Sequence, residues 1–296
     1  MTADLQIVLV AGLVATACGL LGPFLVLRRV ALMGDAVSHA VLPGIVATFL
    51  LFETRAPLPV IAGAAVFAVV CVLGIDALRA TGLVKSDAAI ALVFPALFSL
   101  GVLGVQRYAA DLHLDLDATI YGEIAFVPLQ LWDVLGLPVP RAAVLVGAVA
   151  LLNAALVAAL WKELKATSFD PAFSRTAGIP PQRLSRLLLV AVAVTAVTAF
   201  ESVGAILVVT LLIVPAATAF LLCERLWPMV VCTVALGWVA AAGGYAGALA
   251  LDASIAGAMG LVAALCFALA FLLSPRHGWL ARRVRVRQLA RRAPAS

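Results

Sequence analysis

The chain repeats one pattern nine times: an apolar run of about 20 residues, the length a helix needs to cross a bilayer, followed by a short break. The runs cover 5–27, 31–52, 58–78, 88–106, 142–161, 184–200, 203–222, 229–250 and 254–273. None shows the roughly ten-residue alternation of polar and apolar positions that an outer-membrane barrel requires. An unsatisfied backbone group in hydrocarbon costs several kcal/mol, so each run is read as a helix. The pattern predicts an all-α, polytopic membrane bundle of about nine transmembrane helices. Two stretches are open: 203–222 to a partly re-entrant path, and 118–140 to a short extra element.

Composition agrees. Of 296 residues, 65% are apolar and 12% charged, and the mean hydropathy is +1.17. A soluble domain carries about a quarter charged residues to clothe its surface, so lipid must solvate much of this one.

Charge then orients the bundle. The breaks after runs 1, 3, 5 and 7, with the C-terminus, hold Arg28, Arg29, Arg79, Lys85, Lys162, Lys165, Arg175, Arg183, Arg186, Arg225 and seven arginines from Arg276 to Arg292. The opposite breaks hold Arg55, Arg107 and Arg141. Seventeen against three places the rich side in the cytoplasm and the N-terminus outside. The first run has no basic leader and is expected to be a retained helix. Trp161, Trp227 and Trp279 then fall at cytoplasmic helix ends and Trp132 in an external loop, as interfacial anchors. The net charge of +5 sits largely in the arginine-rich tail 276–296, beside a span, which points to anionic lipid headgroups and not to nucleic acid. Five cysteines lie in or beside apolar runs with no CxxC, so neither a zinc knuckle nor a disulfide framework is expected.

Two connections are long. The external one, 107–141, carries Asp111, Asp115, Asp117, Glu123 and Asp133, either an approach surface for cations or what remains when basic residues are kept inside. The cytoplasmic one reads WKELKATSFDPAFSRTAGIPPQRLSR. Ser168 or Asp170 there can cap a short helix with Pro171 in its first turn, ended by Gly178-Ile-Pro-Pro. Such a helix has little to bury against lipid and is placed to dock on a cytoplasmic partner.

Run 2 holds the candidate chemistry. Asp35 and His39 are four residues apart and share one helical face. An ionisable residue inside a membrane costs about 3 kcal/mol or more, so it faces a partner or a watery path. Imidazole plus carboxylate makes a half-site for a divalent ion such as zinc or manganese; the two groups can equally serve packing. Pro43 lacks an N–H and so frees the carbonyl of His39. Pro95 and Pro215 likewise free those of Ala91 and Leu211, in a broken-helix or simply a kinked arrangement. Glu201 reads as a helix-end residue in contact with water.

Three motifs carry a resemblance. Arg28-Arg29-Val-Ala-Leu-Met-Gly-Asp-Ala-Val-Ser-His-Ala-Val-Leu-Pro-Gly44 resembles the second-helix signature of the zinc/manganese/iron-chelate ABC importer permeases. Asp170-Pro-Ala-Phe-Ser-Arg-Thr-Ala-Gly-Ile-Pro180 is similar to their coupling segment, and Val203 to Ala219 to their late proline-containing helix. Tyr121-Gly-Glu-Ile124 departs from the Phe-Gly-Asn many members carry externally, which leaves the metal open.

The resemblance implies a type II ABC importer permease: one transmembrane domain, 1–275, with a coupling segment at 166–182. It implies Asp35 and His39 as metal-coordinating residues, and Asp170, Pro171, Gly178 and Pro180 as the match to the ATPase-coupling positions. The implied partners are a cytoplasmic ABC ATPase, an external or periplasmic metal-binding protein and a second permease protomer, identical or not. No cofactor is expected to be held permanently, and the metal, manganese or zinc with iron not excluded, is cargo. The chain itself has no GxxxxGK[ST]; Gly82-Leu-Val-Lys-Ser86 lacks the first glycine of a phosphate cradle. Three histidines with no HExxH argue against an intramembrane metallopeptidase. A secondary metal transporter or channel is the alternative, although it has no use for a capped helix facing the cytoplasm.

Overall fold

The computed structural model describes residues 2–30, 32–52, 57–108, 124–134 and 137–274. Among these, nine long helices account for the nine apolar runs: α1 (Ala3–Leu27), α2 (Leu32–Phe52), α3 (Pro57–Ala80), α4 (Ser86–Tyr108), α5 (Arg141–Ala159), α8 (Pro181–Val203), α9 (Ala205–Leu222), α10 (Leu226–Leu251) and α11 (Ile255–Leu273). Between α5 and α8 lie two short helices, α6 (Trp161–Phe169) and α7 (Pro171–Thr176). The extra element expected near 118–140 is a 3₁₀ turn, Ile124–Leu129, and an antiparallel hairpin of β1 (Leu131–Val134) and β2 (Leu137–Pro140). Arg141 stacks over the Trp132 ring at 5.6 Å, an amphipathic pair suited to a membrane boundary. Residues 109–123, with most of the acidic external loop, and the tail from 275, with Trp279, lie outside the described residues.

Contacts between helices alternate their directions. Tyr245 at one end of α10 donates to Asp4 of α1 at 2.6 Å, and Trp238 donates to Thr16 at 3.0 Å, so these helices are antiparallel. His39 meets Phe94 and Phe98 while Gly101 and Gly104 meet Pro43 and Val46, so α2 and α4 are parallel. Ser274, just after α11, donates to the Leu221 carbonyl at 2.8 Å and brings the ends of α9 and α11 together. Every long helix thus reverses the one before it. Arg28, Lys165, Arg186 and Arg225 collect on one side, and the hairpin lies on the other.

The sharpest reversal is between α8 and α9, where Gly204 alone makes the turn with φ 80° and ψ 158°, a conformation open essentially to glycine. With 18 residues, α9 is about 27 Å long, close to the hydrocarbon thickness. It runs from that turn to the basic side, which answers the re-entrant reading: α9 is a continuous helix.

The core sits around α1, whose best apolar window is 72% buried, against 17% for α4 and α11. Its small residues admit its neighbours. A Cβ on Gly12 would run into the Trp238 ring, and one on Gly22 would lie 3.0 Å from the Ala216 Cβ. Lipid tails are as apolar as leucine, so such close approach, and not hydrophobic burial, holds membrane helices together. Asn153, 1% exposed, joins three of them: its amide donates to the Ala17 carbonyl at 3.1 Å and to the Thr195 hydroxyl at 2.8 Å. Thr16, Thr48, Thr195, Thr198, Thr210, Thr218 and Thr233 each return their hydroxyl to a carbonyl four residues back on their own helix.

Candidate metal pathway and coupling segment

The site begins with how closely α2 is gripped. A Cβ on Gly44 would lie 2.5 Å from the Gly63 carbonyl and 2.6 Å from the Ala64 Cα, so α3 touches α2 backbone to backbone. On the other side, a Cβ on Gly101 would lie 2.8 Å from the Pro43 nitrogen. Where α2 has no N–H to cover, α4 offers no side chain and packs directly against the ring. Pro43 stays inside a continuous helix, because flanking helices accommodate such a proline within a membrane bundle.

One turn before Pro43, His39 is exposed on α2, while Met33, Ala36 and Ala40 are fully buried on the flank beside it. Its ring stacks on Phe94 (centroids 5.4 Å, 27°) and meets the edge of Phe98 (5.8 Å, 83°). Asp35 occupies the helical position one turn earlier; its side chain lies outside the described residues. The backbone therefore places the two positions on one stripe of α2, as their spacing predicts. Among the described residues, no three His, Cys, Asp or Glu side chains form a metal-sized group within one protomer. The phenylalanines around His39 carry no signal in the sequence, since they come from α4, 55 and more residues away. Pro95 is half-buried in α4, one residue after Phe94, and Pro215 is buried in α9. Glu201 falls in the last turn of α8, three residues before Gly204, with its side chain outside the described residues.

The four positions expected to serve coupling, Asp170, Pro171, Gly178 and Pro180, all lie among the described residues. Asp170 caps α7, its carboxylate accepting from the Phe173 N–H at 2.8 Å, and Pro171 takes the first helical position. Ser168 is not the cap. Its hydroxyl donates to the Leu164 carbonyl and accepts from Arg28. At the other end, Gly178 has φ 77°; its N–H donates to Arg175 at 3.1 Å and that of Ile179 to Ser174 at 2.9 Å. This is a Schellman closure, in which the residue after the cap turns left-handed to satisfy the last carbonyls. Pro180 and Pro181 then start α8. So α7 is a six-residue helix closed at both ends, with Phe173 64% exposed. Beside it, Lys165, Phe169, Glu224, Arg225, Leu226, Trp227 and Pro228 line an open groove of about 550 Å³.

The sequence gives no hint of what anchors this segment. The Arg28 guanidinium reaches across from the end of α1 and donates to Thr167 at 2.7 Å and to Ser168 at 3.1 Å. Burial there pushes its pKa down, so charge alone does not favour the placement. On the far side, Arg186 of α8 pairs with Asp76 of α3.

Comparison with known proteins places this architecture. The zinc transport system membrane protein TroD of Treponema pallidum (strain Nichols) is 43% identical over 285 residues, 96% of this chain and 78% of its own. The manganese transport system membrane protein MntD of Bacillus subtilis (strain 168) is 40% identical over 286 residues, covering 96% and 97%. Among solved structures, a chain of PsaBC from Streptococcus pneumoniae in complex with Fab superposes with a TM-score of 0.79 at 29% identity, over 96% of both chains. The ABC 3 transport family matches residues 3–274, nearly the whole described bundle, and the chain belongs to that family.

Proposed function

We propose that this protein is the transmembrane permease subunit of an ATP-driven importer of divalent metal ions, manganese or zinc with iron as a further candidate, forming the pathway by alternating access. The observation that carries the reading is the pairing of an imidazole, exposed on the Asp35–His39 stripe of a membrane helix, with a doubly closed helix on the basic side. An imidazole facing bare lipid is costly, so that stripe is read as facing a pathway shared with a second protomer. A single protomer offers Asp35, His39 and the carbonyl freed by Pro43; a second protomer or water would complete the shell. Zinc and manganese both accept such mixed nitrogen and oxygen ligands, and affinity alone favours zinc. Relatives named as zinc and as manganese transport proteins match this chain about equally well, so their names do not choose between the ions.

The chain binds no nucleotide by any motif it contains, so its work is read as driven by an ABC ATPase docked on α7 through Phe173. Cargo is delivered by a metal-binding protein on the opposite side. The permease co-purified with its ATPase and placed in liposomes with that binding protein takes up radiolabelled manganese or zinc only when ATP is present. Uptake that proceeds equally without ATP would instead establish the secondary-transporter alternative.

Orientation follows from the charge split, with the hairpin side external. A single cysteine at position 115, in a background without the five native ones, is labelled by an impermeant maleimide in intact cells. Labelling only after permeabilisation reverses the orientation.

A further inference from the structure

We infer that Arg28 and Arg186 are positioning residues of the transport cycle, tying the two ends of the coupling segment to the helices that carry the metal stripe. The inference rests on the reading of α7 as the ATPase contact. Its carrying observation is separate: both ends of the segment are held by an arginine from, or to, a different part of the bundle.

The first tie is stiff at each end. Helix α1 finishes in its own Schellman closure, with Arg29 N–H on Val26 at 3.1 Å and Val30 N–H on Leu25 at 3.0 Å. The left-handed position is Arg29, φ 56°, where a non-glycine residue costs roughly 1–2 kcal/mol. Local strain of that kind persists only where the surroundings dictate it. Val30, 6% exposed, packs into the core beneath, and the Met33 N–H bonds its carbonyl at 3.0 Å to begin α2. Arg28 therefore sits at a closed helix end that is hydrogen-bonded, through Val30, to the first turn of α2, the helix of Asp35 and His39. Its acceptors are equally fixed. Thr167 and Ser168 spend their hydroxyl hydrogens on Glu163 and Leu164, both at 2.7 Å, and offer lone pairs to the guanidinium. A fork donating to two hydroxyls on adjacent residues resists both sliding and rotation, which a single lysine contact does not.

The second tie lies beyond α7. Arg186 is in the second turn of α8, just past Pro180 and Pro181, and its partner Asp76 is in the last turns of α3. The two side chains are 49% and 22% exposed. Ion pairs this exposed add only about 0–1 kcal/mol of stability, so this one is better understood by what it connects than by what it stabilises. It connects the exit of the coupling segment to α3, the helix in backbone contact with α2 at Gly44 and Gly63. A displacement of α7 is thus handed to the α2–α3 pair from both sides instead of being absorbed in the loops.

The test uses the permease–ATPase complex in liposomes, with ATP turnover and manganese uptake measured together. The variants are Arg28→Ala; Thr167→Val with Ser168→Ala, which keeps the guanidinium and removes its acceptors; Arg186→Asp; and the exchange Asp76→Arg with Arg186→Asp. Metal moved per ATP is expected to fall about tenfold in the first three, in the range known for mutations that modulate coupling, while ATP turnover stays within about twofold. The exchange is expected to restore most of the loss from Arg186→Asp. An unchanged ratio overturns the inference. So does a parallel loss of turnover, uptake and complex assembly that the exchange does not repair, since a purely structural role predicts that pattern. A parent complex with no ATP-dependent uptake instead removes the reading of α7 on which the inference stands.

Discussion

Replacing Asp35 or His39 with alanine is expected to lower metal uptake by about 100-fold or more, while the permease still assembles with its ATPase. Loss of even an outer-shell partner costs metal sites about 10–100-fold, and a direct ligand costs at least as much. Assembly survives because the His39 side chain is exposed in the protomer, and its ring contacts with Phe94 and Phe98 contribute about 0.5–1.5 kcal/mol each. One substitution separates coordination from packing. His39→Phe keeps a ring to stack on Phe94 but supplies no nitrogen, so it is expected to transport as poorly as His39→Ala. Uptake at the parental rate in His39→Phe would show that the residue serves packing alone. The measurement is initial uptake of radiolabelled manganese and zinc, normalised to complex recovered by affinity purification.

The second large effect concerns folding. Gly63→Leu is expected to abolish recovery of monodisperse protein, because a Cβ there would already lie 2.9 Å from the Gly44 carbonyl and closer still to the Thr48 hydroxyl. Overpacking a tight interface typically costs about 1–3 kcal/mol, and here the opposing atoms are the Gly44 carbonyl, which cannot turn aside, and the buried Thr48 side chain, whose hydroxyl is held by that same carbonyl. Gly247 makes the contrast: within α10, a Cβ there would meet nothing within 4 Å. Gly247→Ala is therefore expected to be neutral or to stabilise by up to about 1 kcal/mol. Size-exclusion profiles and thermal aggregation in detergent decide both. Equal behaviour of the two variants would mean that the α2–α3 contact is looser than described.

The nine helices were legible because hydrocarbon demands long, unbroken apolar runs, and their boundaries fall within about three residues of the described helices. The capped α7 was legible too, since Asp-Pro at its start and Gly-Ile-Pro-Pro at its end are local signals. Choosing between Ser168 and Asp170 was not, because Ser168 is taken by Arg28 from more than a hundred residues away. The same limit hid the phenylalanines beside His39 and the Asp76–Arg186 pair: side chains meeting across helices leave no periodicity to read. Glycines announce that something is close without saying what, so Gly44, Gly63 and Gly101 gained meaning only as a set. At 118–140 only a short extra element was expected, and its hairpin went unread because two four-residue strands, the second carrying Pro138 and Pro140, look like any long loop.

One feature of the bundle bears on how such a protein moves. Among the described residues, most hydrogen bonds between helices gather on α1, α5, α8 and α10, through Asn153, Thr195, Trp238, Thr16, Tyr245 and Asp4, while Arg186 pairs α8 with α3 at Asp76 and the Cys71 thiol of α3 reaches the Ala36 carbonyl of α2 at 3.9 Å. Thr48 in α2 turns its hydroxyl inward to Gly44 instead, and α2 meets α3 and α4 across glycine, proline and aromatic surfaces. Contacts of the first kind are lost one bond at a time; contacts of the second kind hold only while the two backbones stay pressed together. The face that bears His39 is thus joined to its neighbours mainly by close packing, and the rest of the bundle mainly by hydrogen bonds.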